Sequence, residues 1–417
     1  MKKILVFADW VGLPSVLKIG ILRSEKSKGE EVFSFEYNDE WLSSGFAQVI
    51  DPDLRLFGGA QYLNVNKPNF GLFLDSSPDR WGRMLMERRE AIIARKTNQP
   101  KKRLIESDFL LGVNDETRMG ALRFKLEESG HFLSGNEEIK VPPFISLREL
   151  EQASLRLEDD DFFKDEQALK WLMMLMAPGS SLGGARPKAS VRDTNGHLWI
   201  AKFPSKNDNK DSGAWEFLVN QMAIELGIDM AQAEARIYSQ KQHTFLTKRF
   251  DRTVRNERIH FASAMTLLGY KDGYNHKEGG SYLEIVELIE QFGSEPDNDI
   301  RELWRRIVFS VAISNTDDHL RNHGFLLTSN GWKLSPAYDI NPAEKGTGLS
   351  LNISEDDNSL DFDLCISVAG YFRWEKEDAV NYINRTKKIV KQWKKRASGI
   401  NRSEERRVGK ECRSRWS

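Results

Sequence analysis

The sequence contains few cysteines and no long apolar run. Among its 417 residues only Cys365 and Cys412 are cysteines, which argues against a disulfide scaffold or a cysteine-rich zinc site and favours a reducing, cytoplasmic setting. No run of about 18 apolar residues is present, so we expect no membrane association. The first ten residues are basic and then apolar. Because Asp9 interrupts the apolar part, we interpret them as a first strand rather than a signal peptide.

A strong net charge is also lacking. The formal net charge is −1, so the chain as a whole is not a polycation built to bind nucleic acid. Its length predicts two or three domains. The basic segment 402–417 reads as the translation of a sequencing adapter, so we expect it to be foreign and leave it out of the fold prediction.

The pattern of apolar residues predicts an α+β protein with a strand-rich N-terminal domain at 1–135 and a second domain at 145–400. In the first, Phe33, Phe35 and Tyr37 alternate with more polar residues, as in a strand, and a helix is predicted at 83–96 with Asp79 near its start. Residues 125–144 are interpreted as a linker. The second domain is predicted to contain helices at 147–158, 165–176, 213–226, 300–314 and 376–397, strands at 189–191, 198–203, 234–239 and 243–248, helical structure from there onward, and a hairpin at 324–336.

One polar loop carries the strongest functional signal. Asp317 and Asn322 lie between a predicted helix and the hairpin, and Asp339 follows the second hairpin strand. Because a hairpin brings its outer ends together, these three side chains can meet and offer oxygen ligands to Mg²⁺. Protein kinases use this layout, with Asp317 in the position of the catalytic base and Asn322 and Asp339 in those of the metal ligands. A polar loop that merely caps a helix, and a zinc site at His319 and His323, are the alternatives.

A kinase also needs a lysine on an early strand and a glutamate on the following helix, and Lys202 and Glu216 fit these positions. The alternative for Lys202 is a strand-end lysine that reaches water. Upstream, Gly183-Gly184 occupies the position of a phosphate-binding loop, although it is not a Walker A motif. The segment 245–252, an apolar strand that runs into a charged turn, lies where the hinge of a kinase receives adenine.

Five segments in this order resemble the HipA family, the kinase toxins of bacterial type II toxin–antitoxin modules. They are Ser-Leu-Gly-Gly-Ala-Arg-Pro-Lys (181–188), Ala-Lys-Phe-Pro (201–204), Lys-Arg-Phe-Asp-Arg (248–252), Asn-Thr-Asp-Asp-His-Leu-Arg-Asn (315–322) and Ser-Pro-Ala-Tyr-Asp (335–339). Segments 77–83 and 115–124 resemble the N-terminal domain of the same family. The resemblance implies a two-lobed protein-kinase-like fold, with a β-containing N-lobe and a mainly helical C-lobe, preceded by a small N-terminal domain.

The resemblance also implies residue roles. Asp317 would be the catalytic base and Asn322 and Asp339 the magnesium ligands. The residues expected to bind ATP are Ser181, Leu182, Gly183, Gly184, Ala185, Lys188, Lys202, Glu216, Lys248, Phe250 and His319. Ser181 matches the serine that family members autophosphorylate, and Ser180 is the neighbouring candidate.

The family implies ATP and Mg²⁺ as cofactors and a protein substrate such as an aminoacyl-tRNA synthetase. The expected partner is a HipB-like helix-turn-helix antitoxin, through which operator DNA is contacted only indirectly. Two alternatives stay open: a kinase of a small hydroxylated molecule, and a non-catalytic component of an antitoxin–DNA complex. For the latter, the lysines of the final helix could contact phosphates, or they form an ordinary solvated face.

Overall fold

The computed structural model describes residues 1–63, 67–133, 141–159, 162, 167–176, 184, 186–239, 241–343 and 346–400. Its strands are β1 (Lys2–Ala8), β2 (Leu17–Ser27), β3 (Glu30–Tyr37), β4 (Ala60–Tyr62), β5 (Leu122–Lys125), β6 (Lys188–Arg192), β7 (Leu198–Lys202), β8 (Ala233–Arg236), β9 (Thr244–Lys248), β10 (Phe261–Ser263), β11 (Gly324–Thr328) and β12 (Gly331–Leu334).

The helices lie between and after these strands. They are α1 (Asp39–Leu42), α2 (Gly71–Asp75), α3 (Arg80–Thr97), α4 (Glu106–Gly112), α5 (Leu147–Leu157), α6 (Ala168–Met176), α7 (Ser212–Glu225), α8 (Ala264–Leu267), α9 (Tyr282–Phe292), α10 (Pro296–Ile313), α11 (Phe362–Ser367), α12 (Lys376–Lys391) and α13 (Trp393–Ser398). No helix in the described ranges is long and apolar enough to cross a bilayer.

The N-terminal region is built on a five-stranded antiparallel sheet in the order β4-β3-β2-β1-β5. The strand predicted from alternating residues is confirmed as β3, in which Phe33, Phe35 and Tyr37 are all buried. The predicted helix at 83–96 is α3. It begins at Arg80, because the Asp79 carboxylate accepts a hydrogen bond from the Gly82 N–H at 2.8 Å and so caps its first turn.

The N-lobe contains a four-stranded antiparallel sheet in the order β6-β7-β9-β8, against which α7 packs. The predicted hairpin turn is present, with the Gly196 N–H donating to the Asp193 carbonyl at 3.0 Å. Gly213 allows α7 to approach β9 closely, since a Cβ there would lie 2.0 Å from the carbonyl oxygen of His243. The sheet and α7 therefore hold Lys202 and Glu216 on facing elements.

The C-lobe contains α9–α13 and a three-stranded sheet in the order β10-β11-β12. The predicted helix before the polar loop is α10, and Leu303, Ile307 and Val311 are buried as its periodicity indicates. The expectation of helix up to the second hairpin is wrong, because β10 adds a strand beside β11. Three residues are too few to show a strand period in the sequence.

The prediction of one final helix at 376–397 is also wrong. The chain turns at Gln392, so α12 ends at Lys391 and α13 starts at Trp393. The turn lets the Trp393 ring pack against Trp215 on α7, with ring centroids 5.4 Å apart. Val380, predicted to share the buried side of the helix, is only half-buried.

The N-terminal region and the two lobes share apolar cores. Phe35 and Phe73 belong to the same buried cluster as Trp304 on α10, whereas Trp81 on α3 belongs to the cluster of the N-lobe sheet. The indole N–H of Trp81 also donates to the backbone carbonyl of Lys188 at 3.0 Å. The domain boundaries at 135 and 145 stay a prediction. The middle of the predicted linker, the start of the helix predicted at 165–176, and the segment 402–417 lie outside the described residues.

Candidate active site

Lys202 joins the two lobes across a cleft. It ends β7 and its side chain is 10% exposed, with Nζ 2.5 Å from Glu216 Oε1 on α7 and 2.7 Å from Asp339 Oδ1 in the C-lobe. A lysine in this position is held by two carboxylates rather than by water, so the alternative of a strand-end lysine that reaches solvent does not describe it.

The electrostatics of Lys202 and Asp339 favour the charged forms of both side chains. Burial alone would lower the pKa of Lys202, but the carboxylates of Asp339 and Glu216 outweigh burial and raise it above the usual lysine value. Burial would raise the pKa of Asp339, yet the ammonium groups of Lys202 and Lys188 bring it below the usual value. Asp339 is therefore ionised at neutral pH, and its side chain remains 30% exposed in the cleft.

The loop after α10 presents Asp317 to solvent on a fixed backbone. Ser314 ends the helix in the left-handed conformation, with φ of 58°. The Asn322 amide donates from Nδ2 to the Asp317 carbonyl oxygen at 2.9 Å, which closes the loop across five residues. Asp317 is exposed and Asn322 buried.

Asp318, to which the sequence analysis gave no role, connects the same loop to the interior of the C-lobe. It is buried and accepts hydrogen bonds from Tyr282 Oη at 2.7 Å and Ser310 Oγ at 3.3 Å. Burial would raise the pKa of Asp318, but His323 and the Tyr282 hydroxyl lower it below its usual value. The adjacent aspartates were the available signal in the sequence, and the structure exposes Asp317 and buries Asp318.

The hairpin β11–β12 returns the chain to this loop, as the sequence predicted. The Tyr338 hydroxyl donates to the Arg321 carbonyl at 2.6 Å, and the Ala343 N–H donates to the Ser314 carbonyl at 3.0 Å. Asp339 has φ of 57°, a left-handed conformation that turns its carboxylate toward Lys202. His319 lies close enough to contribute to the lowered pKa of Asp339.

A cleft that opens to solvent runs between the lobes. Lys202, Glu216, Lys248, Phe250 and Asp339, five of the predicted site residues, all line it. The ring of Phe250 packs on Tyr338, with centroids 5.4 Å apart, and thereby connects the hinge after β9 to the segment that carries Asp339.

The predicted phosphate loop is described only in part. Ser181, Leu182, Gly183 and Ala185 lie outside the described residues. Gly184 has φ of 93°, which a glycine tolerates best, and its carbonyl accepts from Lys188 Nζ at 3.3 Å.

Lys188 itself forms a buried ion pair that the sequence did not predict. Its Nζ lies 2.7 Å from Asp79 Oδ2, and both side chains are 2% exposed. The lysine of the predicted phosphate loop is therefore attached to the N-terminal cap of α3, and a role in binding ATP stays a prediction.

A second unpredicted contact joins the N-terminal region to the hinge. The carboxylate of Asp251 is fully buried between Arg249 and Arg252, and it also accepts from the Gly120 N–H at 2.8 Å. Arg249 and Arg252 each donate to the backbone carbonyl of Arg118. Segments 115–124 and 248–252 each resemble the HipA family, but nothing in the sequence indicates that they contact each other.

The zinc alternative finds no support in the geometry. His323 is buried, with Nε2 3.2 Å from Asp318 Oδ1 and its ring edge-on to Tyr282. Within the described ranges no group of three or more His, Cys, Asp or Glu side chains could hold a metal ion. The oxygen donors of Asp339 and Asn322 suit Mg²⁺, which keeps several positions for water or phosphate oxygen.

Comparison with known proteins assigns the family. A family model described as "HipA-like C-terminal domain" matches residues 180–397, just over half of the chain. The chain belongs to the HipA-like family. Its overall fold matches the HipA chain in a solved complex of HipA, HipB and operator DNA from Shewanella oneidensis MR-1. The TM-score is 0.63 at 16% identity, over 95% of this chain and 92% of the other. The predicted kinase-like fold with an additional N-terminal region is thus confirmed.

Two curated relatives belong to the same group. "Putative kinase Y4mE" of Sinorhizobium fredii is 28% identical over 148 residues, which are 34% of this chain and 33% of the relative. A protein described as "Putative kinase" from Haemophilus influenzae is 27% identical over 180 residues, which are 39% of this chain and 52% of the relative. The match thus spans between a third and about half of these relatives.

Proposed function

We propose that this chain is an ATP- and Mg²⁺-dependent serine/threonine protein kinase and the toxin of a bacterial type II toxin–antitoxin module. The observation that carries the proposal is the position of Lys202, between Glu216 of one lobe and Asp339 of the other. These two contacts bring an ammonium group and an ionised carboxylate together in one cleft. A nucleoside triphosphate needs the cation for its phosphates, and its metal ion needs the carboxylate.

The residues of the cleft fit both cofactors. Lys202 would hold the phosphates of ATP, and the backbone of Lys248 and Phe250 would receive the adenine. Asp339 and Asn322 would hold Mg²⁺, which supplies neutralisation of the phosphate charge when bound. The exclusion of water is favoured by the apolar walls of the cleft, including Ile200, Phe245 and Ile340.

Asp317 would accept the proton of the attacking hydroxyl group. Its exposed carboxylate is accessible to a protein substrate, and the Asn322 amide fixes the backbone that carries it. The buried Asp318 holds the loop in place through Tyr282. Asp317 therefore combines access from solvent with a defined position.

The biological role extends the comparison with the Shewanella complex, whose title places HipA with HipB on operator DNA. We infer a HipB-like helix-turn-helix antitoxin as partner and contact with operator DNA only through it. We also propose a cytoplasmic location and a translation-related substrate, such as an aminoacyl-tRNA synthetase, as the resemblance to the HipA family implies. Ser181, or its neighbour Ser180, is the proposed site of autophosphorylation.

Incubation of the purified protein with Mg-ATP, followed by peptide mass spectrometry, tests this function. We expect one phosphate on the peptide that contains Ser180 and Ser181, and a loss of at least about 100-fold in its rate of formation in Asp317→Asn. The matched control is Asp356→Asn, which makes the same change at an exposed aspartate. Equal phosphorylation of wild type and Asp317→Asn would contradict the role of Asp317. A wild type that neither binds ATP nor becomes phosphorylated would refute the kinase.

A further inference from the structure

A second cavity lies on the other side of the loop that carries Asp317. It opens to solvent, and its wall includes His319, Leu320 and Arg321. None of the residues that line it lines the nucleotide cleft. Tyr338 lines the cleft and its hydroxyl donates to the carbonyl of Arg321, which lines this cavity, so the two cavities are adjacent.

The position of this cavity suits a phosphate acceptor. If ATP fills the cleft between the lobes, an acceptor hydroxyl group has to reach Asp317 from elsewhere. Asp317 is exposed, and its carbonyl accepts a hydrogen bond from the N–H of His319 at 3.0 Å, so it lies within one turn of the cavity wall. A substrate whose serine hydroxyl contacts Asp317 can place the residues next to that serine in the cavity, because each extended residue spans about 3.3 Å.

The rim of the cavity has an excess of positive charge. Arg80, at the start of α3, and Lys271 are exposed, and among the described residues neither has an acidic partner within ion-pair distance. Arg321 is already balanced, since it lies 3.5 Å from Asp272 and offsets part of the effect of burial, which raises the pKa of Asp75. Of the described cations that line this cavity, those without an acidic partner are therefore Arg80 and Lys271, which lie at the solvent-exposed rim where a ligand would enter.

The loop that displays Lys271 is held in place. The rings of Tyr270 and Tyr274 stack with centroids 3.8 Å apart, and the Tyr270 hydroxyl donates to Glu284 on α9. Lys271 lies between the two stacked tyrosines in the sequence, so its backbone is fixed while its side chain faces solvent. A cation on a fixed loop loses less entropy on pairing than one on a flexible chain.

We propose that this cavity binds an acidic segment of the protein substrate that flanks the phosphorylated serine or threonine, with Arg80 and Lys271 as the residues that select it. The inference rests on the proposed kinase function and adds the charge of the substrate to it. Opposite charges across such a rim give specificity and faster association more than raw affinity.

Binding of short peptides tests the proposal without requiring turnover. Three fluorescent peptides share a central serine and carry glutamate, glutamine or lysine on both sides, and their affinities are measured by anisotropy with Mg²⁺ and a non-hydrolysable ATP analogue. We expect the glutamate peptide to bind tightest. Lys271→Glu and Arg80→Glu should each weaken it about three- to tenfold and improve binding of the lysine peptide. Glutamate is tolerated at position 80, because acidic residues are favoured in the first turn of a helix.

The matched control is Lys376→Glu, which reverses one charge at the exposed start of α12, outside the cavity, and should leave all three affinities unchanged. A reversed preference cannot arise from misfolding, so the gain with the lysine peptide separates the proposal from structural damage.

Equal affinity for the three peptides, or a glutamate preference that both reversals leave intact, would overturn the acidic-substrate proposal. Tighter binding of an RNA hairpin than of the glutamate peptide, lost in Lys271→Glu, would assign the cavity to nucleic acid instead. These outcomes are distinct from failure of the kinase itself, which would show as absence of ATP binding and autophosphorylation in the wild type.

Discussion

Replacing Asp251 with asparagine should weaken the contact between the N-terminal region and the hinge of the kinase. The carboxylate is fully buried and lies 2.8 Å from Arg249 Nε and 2.7 Å from Arg252 Nη1. Gly120 of the N-terminal region donates to it, and Arg249 and Arg252 reach the carbonyls of the same segment. Asp251→Asn keeps the shape of the side chain and removes the charge that both guanidinium groups need.

The size of the effect follows from the contacts. Burial would raise the pKa of Asp251, but the two arginines lower it from 3.8 to about 2. That difference corresponds to about 2 kcal/mol of folding free energy at neutral pH. Leaving a buried ion without its partner costs about 3 to 5 kcal/mol. Because asparagine still accepts one hydrogen bond, we expect a loss of between about 2 and 5 kcal/mol in the free energy of unfolding.

The sign of the pH dependence gives an independent check. The pKa of Asp251 is lower in the folded state, so its contribution is complete above about pH 4 and is lost as the pH falls toward 2. The stability of Asp251→Asn should therefore depend less on pH in this range than that of the wild type.

Urea unfolding followed by tryptophan fluorescence measures the loss, with Asp356→Asn as the control at an exposed site. Lys248 and Phe250 line the cleft and lie just before Asp251 in the chain, so ATP affinity should fall as well. A combined variant with Arg252→Met should lose less stability than the sum of the two single variants, because the contacts are shared. A loss below about 1 kcal/mol, or the same loss in the control, would refute the ionic interpretation of this contact.

Two further predictions concern the pH dependence of stability and the approach of α7 to its sheet. Burial raises the pKa of Asp51 to about 6, so its ionisation destabilises the folded state by about 3 kcal/mol above pH 6, and stability should rise as the pH falls from 7 to 4. Asp51→Asn should remove this part of the pH dependence in urea melts; an unchanged profile would contradict the assignment. Gly213→Ala should lower the melting temperature and ATP affinity, because the added Cβ meets the His243 carbonyl, whereas Gly370→Ala, with open space around it, should change neither in thermal-shift and calorimetric titrations.

Local elements were the part of the fold that the sequence predicted well. Three local patterns each depend on residues close together in the chain. They are the alternation in β3, the Asp-Thr-Asn-Gly turn between β6 and β7, and the four-residue spacing in α10. The return of Asp339 to the loop that carries Asn322 was predictable for the same reason, since a hairpin fixes where its ends lie.

The elements that the sequence missed depend on distant partners. β10 has three residues and is recognisable only by its pairing with β11, and the turn between α12 and α13 is explained by packing of Trp393 on Trp215. The ion pair of Lys188 with Asp79 joins residues that are 109 positions apart. No local pattern specifies such a contact.

By itself, the sequence determined which residues could do chemistry and in what order they occur: a strand lysine, a helix glutamate, and a loop and hairpin carrying two aspartates and an asparagine. Only the tertiary structure decided which charges meet, namely Lys202 with Asp339, Lys188 with Asp79, and Asp251 with Arg249 and Arg252. The physical reason is that a buried charge is stable only beside its counter-ion. In a chain of this length that counter-ion can come from any segment that the fold brings within about 3 Å.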